Sequence, residues 1–505
     1  MSSVAQLADV RIEEALIRRA STDGGALAVE DMDRVVTYAE LLGAALAARD
    51  LIVRSGARPG DQISVFLDKS LEAVAYGYGV WLAGGVLVPI APTLRRQHVE
   101  YILSHSESRL LLSTEGKLRR SGFEVMPANL VPVPAVEVRA AESLPELQVS
   151  ETSGPAALLY TSGSTGMPKG VIVSHENLCA GSRIVSSYLG IQSADRILSV
   201  LPFSFDYGLN QLLTSVRNGA ALVLQRSLLA TDILRNLRDQ RITILAGVPT
   251  LWGQLLDTGL IGPDMAPTLR LITNSGGVFP VESVRRYREL LPSCKVFLMY
   301  GLTEAFRSTY LPPDQLETRP ESMGKAIPET EIFILGPDNR ETAPGEPGEL
   351  VHRGPTVALG YWRDPAATAA KYRPDPLDPT ATRPVVYSGD VVRRDAEGFL
   401  YFVGRNDEML KAYGYRISPS EVEAIAMQSQ MVREVVADGV ADPIAGTRVV
   451  LHCVPGEQFS LEGLMAYCQK EMPSYMIPKT ITVHEEFPRT SSGKLDRARV
   501  KKRES

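Results

Sequence analysis

"LLYTSGSTGMPKGVIVSHENL", residues 158–178, sets four hydroxyl side chains, Thr161, Ser162, Ser164 and Thr165, around Gly163 and Gly166 and follows them with a single lysine, Lys169. Hydroxyls, unhindered backbone N–H groups and one ammonium are the donors that hold phosphate. The Walker A arrangement does not fit. It needs glycine directly before the lysine and Ser or Thr directly after it. Here Pro168 precedes Lys169 and Gly170 follows. Proline also removes an N–H where a P-loop helix would aim its donors. The apolar runs "ALLY" and "GVIVSH" on either side read as strands that fix the ends of the loop. A Gly/Ser-rich surface linker shares the composition, but two core strands would not usually frame it. The frame favours a hairpin whose tip wraps the phosphates of a nucleotide.

Outward from this loop, strand-like and helix-like runs alternate: "QISVFL", "SLEAVAYGYGVWLAG", "VLVPI", then "ALVLQ", "ATDILRNLRDQ", "ITILAGV" and "LRLITNSGG". Apolar strands between amphipathic helices predict an α/β architecture with buried, largely parallel sheets. Ligands then bind beyond the carboxyl ends of the strands, where "NSGG" and "MYGLTEAF" lie. The stretch from Ala73 to Leu94 carries no charge and is long enough to span a bilayer. Gly77, Gly79, Gly84 and Gly85 interrupt it, and it reads as a buried helix to Ala83, a glycine stop and a core strand. After about residue 325, "EIFILGPDNRETAPGEPGELVHRG" brings short strands with Gly and Pro turns, as in a small barrel or meander. The last hundred residues read as a compact α+β unit. A boundary near Asn406 and Asp407 divides the chain into 1–405 and 406–505. Pro374 to Pro384 reads as an exposed loop.

The chain has 505 residues, 44% hydrophobic and 22% charged, enough for a sizeable core in two to four folding units. Its formal charge of −6 offers no basic excess for nucleic-acid phosphates. The first twenty residues lack the apolar segment of a signal peptide and read as an amphipathic helix. Cys179, Cys294, Cys453 and Cys468 are far apart and form no CxxC pair. Reduced core thiols and a cytoplasmic location are expected. No HExxH-type metal motif is present. His175 follows Ser174, which reads as a helix N-cap, so His175 is expected to be structural. A monomer or homodimer is expected.

"YTSGSTGMPKGV" resembles the phosphate-loop signature of the AMP-forming adenylating enzyme superfamily. That group contains acyl-CoA synthetases, adenylation domains of nonribosomal peptide synthesis, and luciferases. Further matches follow in order: "YGLTE" at 300–304, "GELVHRG" at 348–354, "YSGD" at 387–390, "GRNDEMLK" at 404–411, "GYRISPSEVE" at 414–423 and "PRTSSGKLDR" at 488–497. The resemblance spans roughly residues 35 to 498. It implies a large N-terminal domain of two stacked α/β subdomains plus a small β-barrel, then a small mobile C-terminal α+β domain. It also implies ATP and Mg²⁺. A carboxylate attacks the α-phosphate of ATP, and a thiol then attacks the acyl-adenylate.

By this resemblance Thr161, Ser162, Gly163, Ser164, Thr165, Gly166 and Lys169 bind the β- and γ-phosphates. Thr303 contacts the α-phosphate, and Glu304 helps to hold Mg²⁺. Tyr300, followed by Gly301, stacks on adenine, against the plainer reading of core packing. Asn274, Ser275 and Gly276 line the adenine edge. Asp390 accepts from both ribose hydroxyls, and Arg405 reaches the ribose or α-phosphate. Asp407 is the hinge, against the plainer reading of a turn cap. Lys494 bridges the substrate carboxylate and the α-phosphate, where a cation on a long stem offsets the repulsion of two anions. Gly414 lets a pantetheine arm pass close to the backbone.

"LPFSFDYGLNQ", residues 201–211, departs from many fatty and aryl acyl-CoA synthetases, which resemble "LPxFHxxG". Phe205 stands at the histidine position and Asp206 follows. "FD" here resembles amino-acid-adenylating enzymes, whose aspartate pairs with the substrate's amino group. An unpaired buried carboxylate is costly, so Asp206 favours a small amino acid, proline-like or related. A turn or helix-cap aspartate is the alternative. "FSFDYGL" and "YGLTEAFRSTYLPP" are also similar to stand-alone ligases that load carrier proteins and to exosortase-associated ligases. Phe205, Asp206, Tyr207, Val248, Thr273 and Phe306 are the expected pocket residues. The expected acceptor is a carrier-protein phosphopantetheine thiol, or coenzyme A with a non-amino acid as substrate.

Overall fold

The computed structural model describes residues 11–145, 153–161, 168–405, 410–412, 415–442, 446–472, 476–490 and 493–501. The expected phosphate-loop residues Ser162, Gly163, Ser164, Thr165 and Gly166, the expected hinge residue Asp407, and Gly414 lie outside the described residues, as does the expected boundary at 406–407.

Two α/β sheets form the large N-terminal part. In the first, six parallel strands run side by side: Leu27–Asp31, Ala221–Leu224, Arg196–Ser199, Ile244–Gly247, Leu271–Asn274 and Lys295–Tyr300. Antiparallel strands Arg34–Thr37, Thr309–Leu311 and Lys325–Ala326 complete nine. The register sets Gly247 beside Asn274 and Asn274 beside Leu298, so these strands end together. Their carboxyl ends therefore bring Val248, Asn274–Gly277 and Tyr300–Glu304 to one edge, the place ligands take in such sheets.

The second sheet has seven strands. Pro155–Thr161 pairs antiparallel with Lys169–Ser174, with Thr161 opposite Lys169. The two framing strands read from the sequence thus form the hairpin expected of them. Ser174 caps the following helix, His175–Leu189, by accepting from the Asn177 N–H. The uncharged stretch forms helix Leu71–Leu82 and strand Val86–Pro89. Among the described residues, no helix is long and apolar enough to cross a membrane.

One apolar core joins both sheets, with Leu16, Trp81, Leu159, Leu222, Trp252 and Ile272 among its members. Helix Asp206–Asn218 runs through it and is buried at every residue from Asp206 to Val216. Such a helix is expected to be apolar all round, yet it carries Asp206, Asn210, Gln211 and Thr214. Polar groups in that position need partners or a function.

The third sheet is antiparallel. Strand Val385–Arg394 pairs with Pro347–Arg353 on one side, and with Tyr372–Arg373 and Leu400–Arg405 end to end on the other. Residues 374–384 are irregular and mostly exposed, as the composition suggested. Asp375 is the exception, buried against Arg353 at 2.6 Å. The C-terminal unit packs helices Pro419–Gln428 and Leu461–Glu471 on strands Val432–Asp442, Gly446–Pro455 and Thr480–Val483, with its own core around Val422, Leu451 and Leu464. All four cysteines are buried thiols. Burial pushes the Cys294 thiol up to about 12 and those of Cys453 and Cys468 up to about 11, which keeps them protonated and inert.

Candidate active site

Among the described residues, Lys494 is the member of the site that comes from the C-terminal unit. Its backbone neighbour Gly493 accepts a hydrogen bond from Thr250 Oγ1 at 3.0 Å, across the two parts of the chain. The ammonium then lies 4.4 Å from the centre of the Phe205 ring. Its stem passes Gly276, where a Cβ would sit 2.7 Å from Lys494 Cε, and Gly276 has φ +81°. Only glycine meets both demands. Burial lowers the Lys494 pKa below the usual lysine value; Asp206 opposes that, Arg307 adds to it, and Glu304 opposes it. The four charges thus face one another.

At the ends of the nucleotide-side strands, Asp390 accepts from the Tyr300 hydroxyl through Oδ2 and from Arg405 Nη1 at 3.0 Å through Oδ1. Tyr300 is tied to Asp390 by its hydroxyl, which fixes its ring; the desolvation of that site raises its pKa well above the usual tyrosine value. Lys371, half-buried, donates to the Ser388 carbonyl at 2.6 Å, and its ammonium feels Glu304, Arg405 and Asp390. Glu304 accepts from the Tyr361 hydroxyl at 2.6 Å. Lys169 stands 3.6 Å from Asp364 and 5.2 Å from the Tyr361 ring centre. Tyr361 therefore lies between Lys169 and Glu304, touching both. Thr303 and Gly301 belong to the turn after Lys295–Tyr300, and Gly301 lies tight against the Arg307 backbone.

The acid side is built differently from expectation. Asp206 is the first residue of its helix, and its Oδ2 accepts from Arg307 Nη1 at 3.0 Å. The pair is almost fully enclosed, with side chains 2% and 4% exposed for Arg307 and Asp206. Arg307 Nη1 also donates to the Phe306 carbonyl at 2.7 Å, and the guanidinium lies over the Tyr207 ring at 4.5 Å. Tyr207 in turn donates to the Thr273 carbonyl at 2.8 Å and meets the Phe205 ring edge-on. Behind these groups is a cavity of about 20 Å³, lined by Tyr207, Asn210, Gln211, Thr273, Met299 and Arg307 among others.

A family model described as AMP-binding enzyme matches residues 16–362, and one described as AMP-binding enzyme C-terminal domain matches residues 421–494. The chain belongs to the AMP-binding enzyme family. It is similar to tyrocidine synthase 3 of Brevibacillus parabrevis, at 28% identity over 93% of this chain, and spans 7% of that relative's length. It is 30% identical to novobiocin biosynthesis protein H of Streptomyces niveus, over 92% of this chain and 78% of that one. Among solved structures it is similar to the o-succinylbenzoate coenzyme A synthetase of Bacillus subtilis in complex with ATP and magnesium ion, at 28% identity and a TM-score of 0.84, covering 96% of this chain and 99% of that one.

Within this AMP-binding enzyme, three further expected site residues are placed as follows. The Asn274 side chain accepts from Trp252 Nε1 at 3.1 Å and donates to the Gly277 carbonyl at 3.1 Å. It shapes the 274–277 turn and its amide is committed there. Phe306 has φ +56°, and its ring is turned into the core against Gly181, where a Cβ would sit 2.3 Å from Phe306 Cδ1. The neighbouring Arg307 lines the cavity instead. Val248 stands beside Gly276 and Gly493, at the Lys494 end of the site. The sequence reading missed Arg307, Asn210, Gln211, Met299 and Lys371. Arg307 and the two amides carried a signal: each is a polar residue in a run that otherwise reads as core.

Proposed function

We propose that this AMP-forming adenylating ligase activates a small carboxylic acid and passes the acyl group to a phosphopantetheine thiol, on a carrier protein or on coenzyme A. One acid oxygen attacks the α-phosphorus of ATP. A P–O bond forms there, the bond to the bridging oxygen breaks, and pyrophosphate leaves. The thiol sulfur then attacks the acyl carbon, AMP leaves with the bonding pair, and the thiol proton goes to solvent.

The observation that carries this reading is the placement of Lys494. It crosses from the C-terminal unit over Gly276 to the Phe205 ring, where its charge is felt by Asp206, Arg307 and Glu304. A cation there stabilises the approach of two anions, and placed charge of this kind contributes most of the acceleration in phosphoryl and acyl transfer. Arg405 and Tyr300 orient Asp390 toward the ribose. Mg²⁺ supplies charge neutralisation on the phosphates when bound. Glu304 is the residue that would hold it, and among the described residues no cluster of three or more ligating side chains exists. A single carboxylate fits a cation that keeps phosphate and water as its other ligands.

The amino-acid form of this reading rested on Asp206 needing a cation. Arg307 is already that cation, which weighs toward an acid without an α-ammonium. The test is pyrophosphate release with an acid panel on the wild type and Lys494→Ala. Loss of about 10²–10³-fold in the variant, with unchanged folding, is expected. Equal rates would overturn the role of Lys494.

A further inference from the structure

We propose that the acid is a short dicarboxylic acid, with its second carboxylate held by the Nε–Nη2 edge of Arg307. This rests on the adenylation reading and names its substrate class.

Among the described residues, five of the nine buried polar atoms with no hydrogen-bond partner gather around one place. Arg307 Nε and Nη2, Asn210 Nδ2, Gln211 Nε2 and Gln211 Oε1 are all in that state, and all three residues line the same cavity. Each buried donor left unpaired destabilises the fold. An AMP-binding enzyme that held a hydrocarbon tail here would bear that cost in its productive complex. A water fits the roughly 20 Å³ space, and it is what an entering group would displace.

The set is lopsided: four donor atoms against one acceptor. An α-ammonium brings more donors and a charge that Arg307 repels. An oxygen acceptor is what the set lacks. Geometry narrows the choice further. Asp206 occupies only Nη1 of the guanidinium, so the parallel pair Nε–H and Nη2–H is spare. Two parallel N–H groups match the two oxygens of a carboxylate, the fork-to-fork arrangement that a hydroxyl or ketone cannot complete.

Neutralising Asp206 does not account for the arrangement by itself. One N–H does that, and it leaves the spare edge and both amides unexplained. One guanidinium between two carboxylates leaves a single negative charge over, and the Asn210 and Gln211 amide donors share it. The small cavity takes only a small group, which favours a short acid. The Phe205 and Tyr207 rings, edge to face, span the gap between Lys494, which meets the reacting carboxylate, and Arg307.

The experiment is pyrophosphate release, with hydroxylamine trapping of the acyl-adenylate, on the full chain with ATP and Mg²⁺. The acids are malonate, succinate and glutarate, the monocarboxylates of equal chain length, the mono-amides of the diacids, and alanine and proline. The wild type should prefer one diacid over its matched monocarboxylate by at least about 100-fold in kcat/KM, since a site built to bond a polar group rejects the analogue lacking it. Arg307→Lys keeps a cation beside Asp206 but removes the fork, and should bring that ratio below about 10-fold. Gln211→Leu should lower it by less. A monocarboxylate, mono-amide or amino acid ranking first in the wild type would overturn the proposal and leave adenylation standing. That ranking decides the matter even if Arg307→Lys fails to fold. A diacid preference that survives Arg307→Lys would overturn the assignment to Arg307. No trapped product with any acid would remove the adenylation reading and this one with it.

Discussion

Asp206 and Arg307 form a buried ion pair that an unfolding experiment can weigh. The two side chains are 4% and 2% exposed and share one hydrogen bond of 3.0 Å. Removing one member of such a pair strands the other charge in the core, at about 3–5 kcal/mol. The two single changes should not cost the same. Asp206→Asn leaves the guanidinium charged, buried and still lacking partners at Nε and Nη2, so it should reach the upper part of that range. Arg307→Met strands the carboxylate but also deletes those unpaired donors, each worth about 1–3 kcal/mol. Its net cost should be smaller, about 2–3 kcal/mol once the cavity water is counted. The double variant carries neither charge and should lie within about 1 kcal/mol of the wild type or above it. Urea unfolding followed by tryptophan fluorescence suits the measurement, because Trp81, Trp252 and Trp362, the three tryptophans of the chain, all belong to the N-terminal part. A midpoint shift at constant denaturant slope reads as stability. Two mild single variants, each under about 1 kcal/mol, or a double variant worse than the sum of the singles, would refute the reasoning.

Other outcomes follow from the same structure. Burial lowers the His352 pKa to about 3, and the His175 pKa to about 3 with help from Arg11, from the ordinary 6.5. Below pH 6.5 the unfolded chain takes up protons that the folded one refuses. Each histidine should therefore cost about 1.4 kcal/mol of stability per pH unit as pH falls from 6.5 toward 3. His352→Gln should remove one such share from the slope measured between pH 4 and 6; an unchanged slope would count against it. Gly181→Ala should destabilise by about 1–3 kcal/mol through overpacking, because the new Cβ meets the Phe306 ring at 2.3 Å. It should also raise the acid's KM as Arg307 shifts, and an unaltered KM would disconnect Phe306 from the pocket. The lowered Lys494 pKa places the alkaline limb of the adenylation profile below the ordinary lysine value. Arg307→Gln, which removes a like charge, should move that limb up, and Asp206→Asn should move it down. Limbs that stay put in both variants would show that another group sets the profile.

The nucleotide side of the site was legible in the sequence because its chemistry is local. Phosphate and ribose need donors and a carboxylate on short loops at strand ends, and the strands announce themselves as apolar runs. Thr161 faces Lys169 across a hairpin, Tyr300 to Glu304 are contiguous, and Asp390 faces Arg405 across adjacent strands, so local strand pairing sets each group. The acid side was legible only in part, because distant segments assemble it. Asp206 was found as a charge, but its partner lies 101 residues away. Asn274 looked like a ligand-facing amide, and Trp252 claims it. Asn210 and Gln211 sit in a helix whose surroundings only the fold reveals. Lys371 had no motif at all; its role comes from strand pairing that sets its helix end beside Ser388.

Phe306 shows how the fold turns one residue's strain into another's placement. A bulky residue at φ +56° sits in the left-handed region, at a cost of about 1–2 kcal/mol. The conformation holds because the surroundings overdetermine it. The ring fills a notch in helix His175–Leu189 that exists only because residue 181 is glycine, and the Phe306 carbonyl accepts from Arg307 Nη1 at 2.7 Å. The reversal sends the aromatic ring into the core and the next side chain, a cation, into the cavity. The acid is thus met from opposite directions. Arg307 is anchored in the rigid core by Asp206, Tyr207 and the strained turn. Lys494 arrives from the separate C-terminal unit over Gly276. On the proposed reading, recognition of the acid's far end belongs to the core, while the charge that drives its reacting end belongs to the other unit. Substitutions at Arg307 should change which acid is chosen, and substitutions at Lys494 should change how fast any acid reacts.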